Sequence, residues 1–443
     1  MPSIDQNYGA STVSSSISLV KTIIGAGLLS MPLAYSTDGI VFGTFIILLA
    51  AATSGYGLFL QCYVSRYVPP HHATFFNLCS ITYPHLSVVF DLAIAVQCFG
   101  CAISYLVLIR DLMPTIVTYV PYIDESHYPS FWLIVSTVLT VPLSFLKNLD
   151  SLKYTSILGL VAIFYMVVLV VGHFLVGDIE RQGQITLFPP NATGVFSTFS
   201  IIVFAFTGHQ NMFSIINEAR DKSLTSLSKL VNFAIFISSL LFIIVGLSGY
   251  LTFGQDVNGN VILSYPNGVT TTIGRFCIVF MVVFSFPLMI HPARISINNI
   301  YYWIKTNFYQ QSESFGETTA LLQEQEQQSE SDINEDEEQG KTHLSHVVPF
   351  PHINFVIITV SLLIIGYLLA ITLKSFALVL AIVGATGSTS ISFILPGLFG
   401  YKLIGSEQDD PSVLELIFKN LSLGLTIWGV GVMILCLYSS LSL

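Results

Sequence analysis

The stretch SLVKTIIGAGLLSMPLAY (Ser18–Tyr35) is apolar enough to lie in a bilayer, yet it carries Gly25-Ala26-Gly27 and then Pro32. Glycine and proline loosen a helix. In hydrocarbon each unpaired N–H or C=O costs several kcal/mol, so an unwound turn survives only against protein or a wet cavity. There the freed groups become useful. The second half-helix presents bare N–H groups and a positive dipole end to an anion such as a carboxylate. The competing reading is a pair of small residues that lets two helices approach closely.

Composition sets the context for that break. The chain has 443 residues, 53% hydrophobic and only 9% charged, where soluble domains carry about a quarter charged residues. Runs near the roughly 20 residues needed to cross hydrocarbon recur along it. Eleven spans are expected, at about 12–35, 40–67, 86–110, 130–147, 154–176, 194–216, 230–254, 270–290, 352–373, 376–400 and 419–440. The chain is therefore expected to be an all-α membrane protein. Residues 1–11 would form a tail, 12–305 spans one to eight, 306–349 a loop, and 350–443 spans nine to eleven. The tail is polar and serine-rich, and the first apolar run is too long and too broken for a signal-peptide core.

The net charge of −10 is local. Ten acidic residues lie between 313 and 338, and without them 16 acids balance 16 bases. The loop 306–349 is rich in Glu, Gln and Ser, cannot bury a core, and is expected to be disordered. With the N-terminus in the cytosol, twelve of the sixteen lysines and arginines fall on the cytosolic side, and only Arg110, Arg181, Arg275 and Lys374 on the far side. That bias predicts a lumenal C-terminus. It also exposes the sequon Asn191-Ala192-Thr193 to glycosylation and hides Asn420-Leu421-Ser422.

A second break decides between the two readings of the first. In FAFTGHQNMFSIINEAR (Phe204–Arg220), Thr207-Gly208-His209-Gln210-Asn211 interrupts an apolar run. Spans one and six hold corresponding places in two five-span halves, where inverted-repeat transporters have discontinuous helices.

These two stretches, with SFPLMIHPARISI (Ser285–Ile297) and GATGSTSISFILPGLFGYK (Gly384–Lys402), resemble the amino acid/auxin permease family, and within it the fungal vacuolar amino acid transporters. The resemblance covers all eleven spans. It implies a LeuT-type fold, an inverted repeat of 5+5 transmembrane helices plus an eleventh. It further implies proton-linked movement of amino acids across the vacuolar membrane.

Under that reading, the backbone around Thr22, Gly25, Ala26 and Gly27 would hold a substrate carboxylate. The carbonyls of Phe204, Ala205 and Phe206, with Thr207, would receive the amino group. Tyr105 on span three is either a donor to the carboxylate or a core tyrosine. Ser285 is either an ion-site residue or a packing serine. His209 is a candidate proton carrier, since histidine titrates between neutral and acidic compartments; the alternative is a neutral histidine bonded to a freed carbonyl. Lys21 either snorkels to the surface or pairs with Asp91 or Glu218 in an inner gate. Arg294 with Glu218 would form a latch, or Arg294 is an interface anchor. The pocket has few charged candidates, which favours neutral substrates. An acidic lumen would drive symport toward the cytosol, while antiport would load the vacuole.

Other classes fit less well. Gly246-Leu247-Ser248-Gly249 matches the GxSG of intramembrane serine proteases, but its helix has no histidine and the bundle is too large. No enzymatic activity and no cofactor are expected. Cys98-x-x-Cys101 lies mid-helix without a second ligand pair and reads as packing. A nutrient receptor would use the same site without moving substrate. Glu317-Thr318-Thr319-Ala320-Leu321-Leu322 fits an acidic dileucine signal read by adaptor coats, consistent with a vacuolar destination.

Overall fold

In the computed structural model, which describes residues 9–146, 153–180, 183–324, 350–373, 375–407 and 411–442, the chain is a bundle of α-helices. Among the described residues the only β pairing is an isolated bridge between Ala10 and Ala219. Among them, nine helices are long and apolar enough to cross a membrane, and a bent pair makes a tenth.

That pair is α1 (Thr12–Ile23) and α2 (Met31–Asp38), joined through a 3-10 turn at Ala26–Ser30 and bent by 47°. Ser11 caps α1 by accepting from the Ser14 N–H at 3.2 Å. Pro32 sits in the first turn of α2, where no intrahelical N–H is needed. The proline therefore starts the second half-helix rather than breaking the first. Below, the near end of the bundle is where α1 starts and the far end is where α2 stops.

The chain continues through α3 (Ile40–Val64), α4 (Phe75–Thr82), α5 (Ser87–Ile116), α6 (Tyr128–Ser144) and α7 (Lys153–Val176). The sixth expected span is α8 (Ala192–Ala205) and α9 (His209–Glu218), with Phe206–Gly208 between them. This break is shallower, and Gly194–Glu218 reads as one 25-residue span. Then come α10 (Leu224–Phe253), α11 (Val269–Glu324) and α12 (His352–Thr372), followed by α13 (Phe376–Val383), α14 (Leu395–Leu403) and α15 (Val413–Leu441). The two broken helices occupy the middle: α1 and α2 pack against α10, α8 and α9 against α3, and α8 also against α13 and α15. The outer helices turn Phe45, Phe236, Ile364, Ile427 and Ile434 outward, as surfaces in contact with lipid do.

The expected loop 306–349 begins differently. α11 runs on to Glu324, through Gln, Glu and Ala with no proline to stop it. Glu317, Leu321 and Leu322 lie on that continuation, and residues 325–349 lie outside the described residues. The N-terminal tail is also tied at its end: the Ala10 N–H donates to the Glu218 carbonyl (2.8 Å) and the Arg220 N–H to the Ala10 carbonyl (3.0 Å).

Span ten has a local winding of its own. Between α13 and α14, Gly384–Ser388 and Ser390–Ile394 are π-helical turns. Such turns are rare and cluster at functional sites. Here the small residues let this segment nest against α5 and α8. Ser388 Oγ donates to Gln97 Oε1 (2.7 Å), and Ser392 Oγ lies 3.0 Å from His209 Nδ1. The motif that carried the family resemblance thus holds two side chains at the centre of the bundle.

Candidate functional site

A cavity of about 140 Å³ lies between the two breaks. At roughly 10–15 Å³ per enclosed water it has room for about ten waters, the scale of a small zwitterion. Gly25, Ala26 and Gly27 line it from the first break, and Phe204, Ala205, Thr207, Gln210 and Asn211 from the second. Gln97, Cys101 and Tyr105 come from α5, Ile163 from α7, and Met281, Ser285, Leu288 and Met289 from α11. The lining reaches half-buried Lys21 and exposed Asn211 toward the near end. On the far side of the break, every residue from Ala26 to Ser36 except Leu33 is buried. The cavity therefore opens to the near end and is closed to the far end.

The breaks supply main-chain groups of both signs. Among the described residues, the N–H groups of Ala26 and Gly27 have no hydrogen-bond acceptor, and the carbonyls of Lys21, Thr22 and Ile24 receive no N–H. In the second break the carbonyls of Ala205, Phe206 and Thr207 are likewise unpaired, while that of Phe204 is taken by the Thr207 N–H at 3.0 Å. Thr207 Oγ1 donates to the Val203 carbonyl (2.8 Å), so its oxygen still has lone-pair capacity. Bare N–H groups at the start of one half-helix suit an anion; bare carbonyls at the end of another suit an ammonium. One molecule carrying both charges, a few ångströms apart, matches this surface.

The two glycines of the first break have different neighbours. A Cβ on Gly27 would lie 2.6 Å from Ala205 Cβ and 2.7 Å from Ala205 Cα, so Gly27 lets the two broken helices touch. A Cβ on Gly25 would meet nothing within 4 Å, because Gly25 faces the cavity. The packing reading and the binding reading each describe one of the pair.

Of the other expected residues, Thr22, Tyr105, Phe204, Ala205, Thr207, Ser285 and Lys21 line the cavity and Phe206 does not. Phe206 is buried edge-on against Phe242, with ring centroids 4.9 Å apart. His209 is also outside the lining. It is fully buried, with Nε2 3.1 Å from the Ser54 carbonyl and Nδ1 3.0 Å from the Ser392 hydroxyl. A carbonyl only accepts, so Nε2 carries a hydrogen, and a neutral ring is fully satisfied with Nδ1 accepting from Ser392.

The expected charge pairs do not form. Among the described residues no ion pair joins Lys21 to Asp91 or Glu218, and Asp91 instead accepts from Asn299 Nδ2 at 3.1 Å. Arg294 does not pair with Glu218. It donates to the Ser144 carbonyl and Thr359 Oγ1 (3.0 Å each), lies 3.1 Å from His291 Nδ1, and covers the Phe355 ring at 3.9 Å. It braces α11 against α6 and α12, a use for which guanidinium is suited because its planar fork serves several acceptors and stacks on rings. No cluster of three or more His, Cys, Asp or Glu that could hold a metal occurs among the described residues.

Sequence reasoning missed Gln97, Gln210 and Asn211 as cavity residues. Gln97 is a lone amide in an apolar span, and Gln210 Oε1 has no hydrogen-bond partner. A buried amide in a membrane helix was the available signal.

Comparison with known proteins gives a consistent result. Residues 8–435 match the family described as transmembrane amino acid transporter protein. The chain is 41% identical to vacuolar amino acid transporter 7 of Saccharomyces cerevisiae, over 97% of each chain. It is also 41% identical to vacuolar amino acid transporter 6 of the same yeast, over 98% of this chain and 99% of that one. Vacuolar amino acid transporter 5 of Schizosaccharomyces pombe is 38% identical over 96% of this chain and 93% of its own. With a two-signed cavity at paired helix breaks and a match along nearly its whole length, the chain belongs to the transmembrane amino acid transporter protein family.

Proposed function

We propose that the chain carries neutral amino acids across the vacuolar membrane toward the cytosol, driven by protons. The observation that carries this reading is the near-end cavity between the breaks, with unpaired N–H groups on one wall and unpaired carbonyls on another. The carboxylate binds the N–H groups of Ala26 and Gly27. The ammonium binds the carbonyls of Ala205 and Thr207. The side chain lies among Ile163, Met281, Leu288 and Met289, with Gln97 and Gln210 as polar partners. Lys21 is the one charged residue in the lining, so no carboxylate there selects a basic side chain.

The architecture in this reading is LeuT-type. α1–α2 and α8–α9 are the first and sixth of ten spans in two inverted halves, the 17-residue α6 is the fourth, and α15 is the eleventh. The bias of lysine and arginine makes the near end cytosolic, and the names of the relatives point to the vacuole. The conformation is then the one that releases substrate to the cytosol. His209 serves as a structural pin between α9, α3 and span ten.

Reconstituted vesicles test this. With an acidic compartment at the far end, a mixture of radiolabelled glutamine, proline and leucine is expected to move toward the near end and accumulate there. Binding without movement would instead identify a receptor, and movement insensitive to the pH difference would exclude proton drive.

A further inference from the structure

A second cavity lies on the outside of the bundle, where α3 and α10 turn toward lipid. It is a groove of about 560 Å³. On α3 it runs from Leu48 to Phe59, and on α10 from Ser228 to Ser239. At about 1.5 Å per residue, each stretch covers about 17 Å of helix. Centring the 30-residue α10 on about 20 residues of hydrocarbon leaves about five residues outside at each end. Ser228 then lies at the near boundary, Asn232 about one turn inside it, and Ser239 at the middle. The groove therefore spans one leaflet, the one at the near end.

The polar groups of the groove divide by depth. Tyr56 donates its hydroxyl to the Phe418 carbonyl (3.1 Å) and Ser239 to the Ile235 carbonyl (2.7 Å), so the body of the groove is satisfied. Ser228 and Asn232, at the mouth, make no side-chain hydrogen bond among the described residues. They stand one turn apart on the same face of α10. Asn232 is exposed, and an amide in hydrocarbon without a partner is costly. Deeper in, α3 presents Ala51, Ala52 and Gly55. A Cβ on Gly55 would lie 3.5 Å from Ile235, an ordinary contact, so the packing of α3 on α10 does not require a glycine there. The glycine leaves that wall without a side chain.

We propose that this groove binds a sterol from the near-end leaflet, its hydroxyl held by Asn232 and Ser228 and its ring system lying along Ala51, Ala52 and Gly55. A sterol hydroxyl both donates and accepts, and the carboxamide of Asn232 meets either role. That hydroxyl sits just inside the headgroups, at the depth of this pair, and the remainder of the molecule is apolar. A fused ring body is rigid, so it loses little freedom on a smooth wall. In lipid, close contact and the hydrogen bond drive association, not the hydrophobic effect. A phospholipid fits less well. Its phosphate calls for a cation, and no Lys or Arg lines the groove. Lys229, next to Ser228, is exposed, but consecutive residues of a helix do not share a face. Because α10 packs against α1 and α2, and α3 against α8 and α9, a sterol between α3 and α10 braces the helices that frame the central cavity.

The test uses the full chain in nanodiscs of dioleoylphosphatidylcholine without sterol. A cholesterol probe with a free hydroxyl and a photoreactive diazirine is titrated in, and labelled peptides are identified by mass spectrometry. Saturable labelling is expected between Leu48 and Phe59 and between Ser228 and Ser239, displaced by unlabelled cholesterol. Asn232→Ala is expected to weaken it by about tenfold through loss of the hydrogen bond. Its melting curve without sterol should match the parent's, since the amide has no partner in the protein to lose. Cholesterol methyl ether should compete about tenfold less well than cholesterol against the parent, and equally well against Asn232→Ala. Gly55→Leu fills the groove and should abolish labelling. Equal labelling of Asn232→Ala and the parent overturns the proposal, as does the absence of saturable labelling in the two stretches. Labelling that rises linearly with probe and resists cholesterol assigns the groove to bulk acyl chains. Labelling that falls when two copies share a nanodisc assigns it to a second copy. Either result overturns the sterol site.

Discussion

Replacing Gly27 by alanine should damage the protein in a way that replacing Gly25 does not. At Gly27 the new methyl would sit 2.6 Å from Ala205 Cβ and 2.7 Å from Ala205 Cα. Carbon atoms pack comfortably at about 3.5–4.0 Å, so the two breaks would have to part by about 1 Å. Overpacking of this kind costs about 1–3 kcal/mol. The same shift separates the N–H groups of Ala26 and Gly27 from the carbonyls of Ala205 and Thr207. Because positioning errors of about 1 Å are costly wherever two groups must be met at once, uptake should fall with stability. At Gly25 a methyl meets nothing within 4 Å, so stability should hold. A leucine there fills the cavity and should abolish uptake in a folded protein. The assay is a melting curve of the detergent-solubilised protein beside vesicle uptake. Adding Ala205→Gly to Gly27→Ala should restore stability only in part, because Ala205 Cα remains 2.7 Å away. A Gly27→Ala protein that melts like the parent, or complete rescue by Ala205→Gly, would refute the contact.

Three further outcomes are expected. His209→Ala removes the bonds to the Ser54 carbonyl and the Ser392 hydroxyl and should cost about 1–3 kcal/mol, while His209→Asn keeps pH-driven uptake; loss of that drive in the Asn variant would restore His209 as proton carrier. Arg294→Met should lower the melting temperature by stripping Ser144 and Thr359 of their donor, and Arg294→Lys should rescue only partly, since an ammonium cannot serve both acceptors and stack on Phe355; equal melting of the Lys variant and the parent would count against the brace. Exposed Asn191 should carry a glycan removable by glycosidase in a eukaryotic host, and Asn420 should not; a shift lost on Asn420→Gln would invert the proposed orientation.

What the sequence disclosed depended on how local the cause was. The first break was legible because Gly25-Ala26-Gly27 is a local signal for loosened backbone. The second was legible because consecutive polar residues in mid-span are costly in hydrocarbon unless they face protein or water. The division of labour between Gly25 and Gly27 was not legible. It depends on which glycine faces Ala205, a residue on another helix. Pairing Arg294 with Glu218 failed for a related reason. Opposite charges attract in any reading of a sequence, but a buried guanidinium can be satisfied by neutral acceptors, and Ser144, Thr359 and the Phe355 ring supply them. Arg110 combines the two: its Nε pairs with the adjacent Asp111 at 2.8 Å, and its other donors reach the carbonyls of Ala370 and Leu373 at 2.6 and 2.7 Å and so cap α12.

The polar face of the cavity is largely main chain, and this bears on how such a protein diverges. Peptide groups are common to every residue, so a change of side chain at Ala26, Ala205 or Thr207 leaves the N–H and C=O in place. Under the proposed binding mode, and away from the Gly27–Ala205 contact, point mutation has little purchase on the grip for the charged ends of the cargo. It acts freely on Ile163, Met281, Leu288 and Met289, the walls around the remaining part. Duplicated copies of such a gene could therefore drift in appetite, from one side chain to another, while inheriting intact the capacity to hold an amino acid at all.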